Sequence, residues 1–276
     1  MHIFVRSDYV NQYGFGALSK EVDLRDYSIK DRNIEIPNEF EWQCGEVKNQ
    51  GRVGSCVAHA AASLEEFHNL HQGKDTRPLS VGYIYGTRYL YRGEGMYVKD
   101  ALKTLQKRGT CFHEEFPYNE EVPDIIDRVK ESNIDDKLTG KNKITSYFYI
   151  SKLNKNREKL IKQTIMLNGP VLFSIKWYND IKVKNGVITS SLSGKSGGHC
   201  VLCYGWDSRG WKIMNSWGRT WGYSGKAIYP YEYPIREVWG VTDNEDDVIK
   251  KNENISWLLK LISQAINFII NVFVKK

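Results

Sequence analysis

An α+β chain folded as two lobes with a cleft between them is the architecture predicted here, on three observations. Apolar residues recur at helical spacing through the first half of the chain, and short strand-like runs dominate the second half. At 276 residues, with 41% hydrophobic and 26% charged residues, the chain is long enough for a sizeable core and ordinary in composition. These values exclude disorder, fibre and polytopic membrane protein. The net charge of +6 is not gathered into a patch that would single out nucleic acid, and the basic run from Lys141 to Lys162 reads as a solvated face. Five cysteines in so long a chain do not make a disulfide-stapled miniature.

In order along the chain, residues 1–45 read as an extended arm without a sustained helical period. Asp8, Asn11 and Gln12 interrupt any apolar run near Met1, so no secretory signal is expected and synthesis in the cytoplasm is. A helix is predicted from Ser55 to about Gly73, with Pro78 beyond as a stop, a second over 80–91 and a third over 96–108 closed by Gly109. The acidic stretch NEEVPDIIDRVKESNIDD at 119–136 reads as a linker or insertion. Strands are expected at 144–150, 170–178, 199–206, 211–215 and 226–231, with a helix over 153–167. Domain limits follow: an arm over 1–45, a two-lobed domain over 46–243 divided near 118/119, and a tail over 244–276. In the tail, fourteen of the twenty residues from Ile255 to Val274 are apolar. Ser256, Lys260, Ser263, Gln264, Asn267 and Asn271 form one polar stripe there. That pattern fits a hydrophobic or amphipathic helix docked on its own domain, on a partner or on a membrane.

Cys56 is the first residue with chemistry in view. It follows Gly-Ser at a predicted helix start, where unpaired backbone N–H groups favour a thiolate. Taken alone, such a cysteine is also a common buried hydrophobe. Its neighbours change the balance: Gln50 lies in QGRVGSCVAHA, His199 in GGHCVLCYGW and Asn215 in WKIMNSWGRTWGYSG. His199 and Asn215 lie eight residues either side of Asp207, so a hairpin turning there sets them on facing strands. A one-residue slip would put them on opposite faces.

These four pieces, in this order, resemble the papain family of cysteine peptidases, in particular bacterial and phage members with a DLRDY-like segment ahead of the domain. The likeness runs from Asp23 to about Val241. It implies a papain-like two-lobe fold, a helical left lobe and a barrel-like right lobe, and amide hydrolysis through an acyl-thioester. Cys56 would be the nucleophile and His199 its partner, the pair resting as thiolate and imidazolium. Asn215 would orient the imidazole, Gln50 and the Cys56 N–H would bind the oxyanion, and Trp217 would shield the His199–Asn215 bond. Gly95, Met96, Gly198 and Trp217 would line the substrate, a protein, a peptide or a cell-wall cross-peptide. No metal or organic cofactor is implied.

The sequence departs from that family at Val57, at Met96, where a second glycine is usual, and at Val53, where a half-cystine is usual. The 49 residues ahead of Gln50 are too few for a conventional inhibitory prodomain, so the arm is expected to pack on the domain or lie across the cleft. His59 reads as a hydrogen-bonded core histidine. Cys200 and Cys203, three apart on a strand, point to opposite faces and make no metal or redox pair. Acyl transfer by the same residues, and an inactive tethering component, remain as alternatives.

Overall fold

The computed structural model describes residues 14–18, 32–88, 93–120, 122–131 and 140–242. The apolar tail at 255–274 lies outside them. Among the described residues no helix is long and apolar enough to cross a membrane.

Helix α1, Cys56–His71, is the central element. Its residues are buried on nearly every side, because helices cover one flank and the sheet covers the other. It ends where Gly73 takes φ +67°, the left-handed geometry a side chain would resist. Helix α2, Val81–Gly86, is capped by Ser80, whose Oγ accepts from the Tyr83 N–H at 3.0 Å. It is shorter than expected. Helix α3, Val98–Lys107, starts two residues later than predicted, because Met96–Tyr97 form a strand instead.

Within the stretch 119–136, read as a linker or insertion, residues 122–131 are helical. Val122–Glu131 form helix α4, with Ile125 and Ile126 buried against α2. The acidic residues misled because they alternate with an apolar stripe (Val122, Ile125, Ile126, Val129) at helical spacing. Since α4 packs on α2, the helical lobe runs on past residue 118, and the sheet lobe begins with the strand at Ser146.

The strands are β1 (Ala17–Leu18), β2 (Phe40–Glu41), β3 (Met96–Tyr97), β4 (Ser146–Tyr149), β5 (Val171–Tyr178), β6 (Lys182–Lys184), β7 (Val187–Thr189), β8 (Ser196–Asp207), β9 (Gly210–Met214), β10 (Lys226–Tyr229) and β11 (Ile235–Thr242). Helix α5, Arg157–Asn168, leads into β5. The large sheet has the order β4-β11-β5-β8-β9-β10-β7-β6, with β2 added alongside β8, while β1 pairs in parallel with β3. Strand β11, which the sequence reading passed over, sits between β4 and β5. Its IREVWGVT run mixes charge with apolar residues because Glu237 is itself buried, with the Trp239 Nε1–H donating to its Oε2 at 2.9 Å.

Strand β8 divides two cores. Cys200, Leu202 and Tyr204 face the helical side, whereas Val201, Cys203 and Trp206 face the other. The alternation breaks between Tyr204 and Trp206, where the pairing with β9 also shifts by one residue between Cys203 and Gly205. Cys200 and Cys203 therefore lie on opposite faces. All five cysteines are free.

The contact of α2 with α4 depends on Gly86: a Cβ there would stand 2.5 Å from Val129 Cγ2 and 2.9 Å from the Ile125 carbonyl oxygen. Gly86→Val should lower the urea midpoint by a stability loss of about 1–3 kcal/mol with an unchanged slope. An unaltered midpoint would mean that α4 does not dock there.

Candidate active site

Cys56 opens α1 and is fully buried. Its thiol faces the backbone N–H of Cys200 on β8, the residue after His199, and that of Gly16 in the arm. His199 is buried on β8, and its Nε2 lies 2.8 Å from Asn215 Oδ1. A carboxamide oxygen only accepts, so Nε2 carries the proton and Nδ1 of the neutral ring presents a lone pair. Nδ1 is buried and takes no hydrogen bond among the described residues. Trp217 lies over the imidazole with ring centroids 4.7 Å apart, and Trp177 meets it edge-on at 5.0 Å. Trp177, which no motif marked, is the second tryptophan against the His199 ring.

The two residues meet by a route other than a symmetric turn at Asp207. The hairpin closes through Asp207↔Gly210, and β9 ends with Met214 opposite Leu202. Asn215 follows, alongside Val201, so it reaches His199 diagonally from the same face. The one-residue shift at Tyr204 is what preserves that face.

Gln50 is fully buried and its carboxamide is fixed at both ends. Ser216 Oγ donates to Gln50 Oε1 at 2.6 Å, and Gln50 Nε2 donates to the carbonyls of Gly14 at 2.7 Å and Val53 at 2.9 Å. The Ser216 N–H also donates to Asn215 Oδ1 at 2.8 Å. Ser216 therefore ties Gln50 to the His199–Asn215 pair. Sequence reading missed it, although it is the residue directly after Asn215 in the NSWG run.

The groove beside these residues holds the chain's own arm. Gly16 N–H donates to the Gly198 carbonyl at 3.0 Å, and Met96 N–H donates to the Gly16 carbonyl at 2.7 Å. Phe15 stands edge-on to His199 at 6.1 Å and tilted to Trp217 at 6.3 Å. Such close passage demands glycine: a Cβ on Gly16 would overlap the Gly54 carbonyl oxygen, and one on Gly198 would overlap that of Ala17. Thus Gly95, Met96, Gly198 and Trp217 all border residues 14–18. His59 is buried, with its Nδ1 3.0 Å from the Ser55 carbonyl and its ring edge-on to that of Tyr118. Among the described residues there is no group of His, Cys, Asp and Glu fit to hold a metal ion.

A model of the papain family of cysteine proteases matches residues 36–230. The chain belongs to that family. Fruit bromelain of Ananas comosus is 25% identical over 80% of this chain and 63% of its own length. A peptidase C1-like protein of Acanthamoeba polyphaga mimivirus is 24% identical over 73% of this chain and 71% of its own. Among solved structures, xylellain, a cysteine protease from Xylella fastidiosa, superimposes with a TM-score of 0.71 at 23% identity, covering 87% of this chain and all of that one. The two-lobed α+β fold is thus the papain-like one.

With the arm seated, burial works against both members of the thiolate–imidazolium pair expected from the sequence. Burial pushes the Cys56 thiol up from 9.0 to about 11, against the backbone N–H groups of Cys200 and Gly16, which favour the thiolate. Burial likewise pulls His199 down from 6.5 to about 4, opposed by its bond to Asn215. A thiol whose pKa is raised in the closed form stabilises closure fully below its open-state value. That contribution is lost as pH rises from about 9 toward 11. Closure of the arm should therefore weaken about tenfold between pH 7 and pH 10. Tryptophan fluorescence, reporting Phe15 leaving Trp217, should shift over this range in the parent and stay flat in Cys56→Ser.

Proposed function

We propose that the chain is a cysteine endopeptidase acting on protein or peptide substrates through Cys56, His199 and Asn215. The observation that carries this reading is the His199 Nε2–Asn215 Oδ1 bond of 2.8 Å, which leaves Nδ1 with a free lone pair on the strand whose next residue, Cys200, turns its N–H to the Cys56 thiol at the N-terminus of α1.

The chemistry runs as follows. Nδ1 takes the Cys56 proton, and sulfur attacks the scissile carbonyl carbon. The oxygen becomes an oxyanion, accepting from Gln50 Nε2 and the Cys56 N–H, and the amide C–N bond breaks as imidazolium gives its proton to the leaving amine. The acyl-thioester is then cleaved by water, which yields its proton to Nδ1. Gln50 Nε2 already donates to a carbonyl, that of Gly14, so it is aimed for this role. The hydrogen bonds that Met96 N–H and the Gly198 carbonyl make to Gly16 are those by which an extended substrate backbone would be held.

In the same reading, residues 14–18 restrain the enzyme by filling the groove, in the manner of a bound peptide that is not turned over. Release by displacement or trimming of the arm then exposes Cys56.

Two measurements test this. With a peptide library as substrate, Cys56→Ala should abolish cleavage and Gln50→Ala should lower kcat by about 100–1,000-fold. Gly16→Val, which cannot pass Gly54, should raise kcat/KM and the rate of Cys56 alkylation together. Cleavage by Cys56→Ala would overturn the mechanism, and an unchanged alkylation rate in Gly16→Val would overturn the restraint. Products carrying an added amine would reveal acyl transfer in place of hydrolysis.

A further inference from the structure

At the N-terminus of α1, beside Cys56, runs a chain of hydrogen bonds that the reaction as written does not use. Tyr118 OH donates to the Gln50 carbonyl at 3.0 Å. With its single proton spent, the phenol oxygen accepts from Ser55 Oγ, 2.7 Å away. His59 Nδ1 stands 3.0 Å from the Ser55 carbonyl, which only accepts, so Nδ1 carries a proton; it also lies 3.2 Å from Ser55 Oγ. The direction of donation is thereby fixed from His59 through Ser55 and Tyr118 to the main chain of Gln50. Ser55 immediately precedes Cys56, and its side chain makes no cap bond to α1.

The rest of Tyr118 is firmly held. Its ring meets that of His59 edge-on at 4.9 Å. Its chain is anchored two residues earlier, where Ser80 Oγ donates to the Phe116 carbonyl at 2.5 Å from the cap of α2. His59, with its proton committed and its pKa pulled down to about 3 by burial, has no part as a base.

We infer that Tyr118, oriented by Ser55 and His59, is a positioning residue for the oxyanion site, holding the main chain of Gln50 so that Nε2 meets the oxyanion. The inference rests on Gln50 being that donor. Loss of one uncharged hydrogen bond behind the donor is worth roughly tenfold in turnover.

The test uses the intact chain and Tyr118→Phe, which keeps the ring against His59 and removes the phenol oxygen. Turnover of a peptide anilide should fall about tenfold in kcat with KM unchanged. Alkylation of Cys56 by iodoacetamide, a displacement at saturated carbon that forms no oxyanion, should stay within about twofold of the parent. In a Gln50→Ala background, Tyr118→Phe should cost nothing further. Ser55→Ala should reproduce the pattern should the phenylalanine variant fold poorly. Unchanged kcat, an equal loss in alkylation and turnover, or a full additional loss in Gln50→Ala would each overturn the role. If Gln50→Ala itself leaves kcat intact, the oxyanion assignment falls instead, so the two failures are distinct.

Discussion

Everything at the site hangs on a one-residue irregularity in β8. The hairpin with β9 starts in the register Asp207↔Gly210 and Trp206↔Trp211; continued unbroken, it would set Met214 against Cys203 and Asn215 alongside Leu202. Leu202 faces the helical core, so Asn215 would lie on the wrong side of the sheet from His199. The extra residue at Tyr204 moves Met214 to Leu202 and brings Asn215 onto the face of Val201 and His199. β8 holds the bulge because it is paired on both sides there: β2 bonds to Gly205 and Trp206, and the Trp42 N–H donates to the Tyr204 carbonyl at 3.0 Å. The arm region thus supports the catalytic face at two separate places, once through β2 and once in the cleft.

Cleft occupancy and the charge state of the pair are one physical matter. Cys56 and His199 are both wholly buried while residues 14–18 are seated, and desolvation disfavours the ionised form of each. The helix terminus and the backbone N–H groups that favour a thiolate are present throughout; they are outweighed, not missing. In the proposed mechanism, a segment that fills the groove would block substrate and disfavour the thiolate at once, and it would need no charged group for either. The segment itself is mostly small. Gly14 and Gly16 allow the close passage, and Phe15 covers the aromatic wall of Trp217.

Much of this was legible because the chemistry needs fixed residue types in short segments. Gln50, Cys56, His199 and Asn215 stood out with their neighbours, and the free state of Cys200 and Cys203 followed from strand alternation. Elements whose signal is set by burial rather than pattern were not legible. α4 hid under its acidic residues, because its apolar stripe is only one helix face wide. β11 hid because a buried Glu237 breaks its alternation. Ser216, Tyr118 and Trp177 hid for another reason: serine, tyrosine and tryptophan occur everywhere, and their value here comes from partners 166, 68 and 22 residues away. No local window contains that information.

Those partners also explain how two lobes with separate cores present one site. Gln50 belongs to neither lobe by contact alone. Its carbonyl is held from the helical side by Tyr118, while its N–H and Oε1 are held from the sheet side by Ser216, whose carbonyl accepts at 2.9 Å. Asn49 bridges Trp217, and the Gly218 N–H donates to the Lys48 carbonyl at 2.9 Å, extending the seam on both sides of Gln50. In the proposed reaction, a donor pinned from both sides would lose little freedom on meeting an oxyanion, which is the condition under which a single hydrogen bond is worth most to a transition state. Cys56 sits at the same seam, on a helix of one lobe, with His199 on a strand of the other. Relative motion of the lobes would therefore alter the thiol–imidazole distance and the aim of Gln50 together, and the hydrogen bonds of Ser216 oppose both displacements.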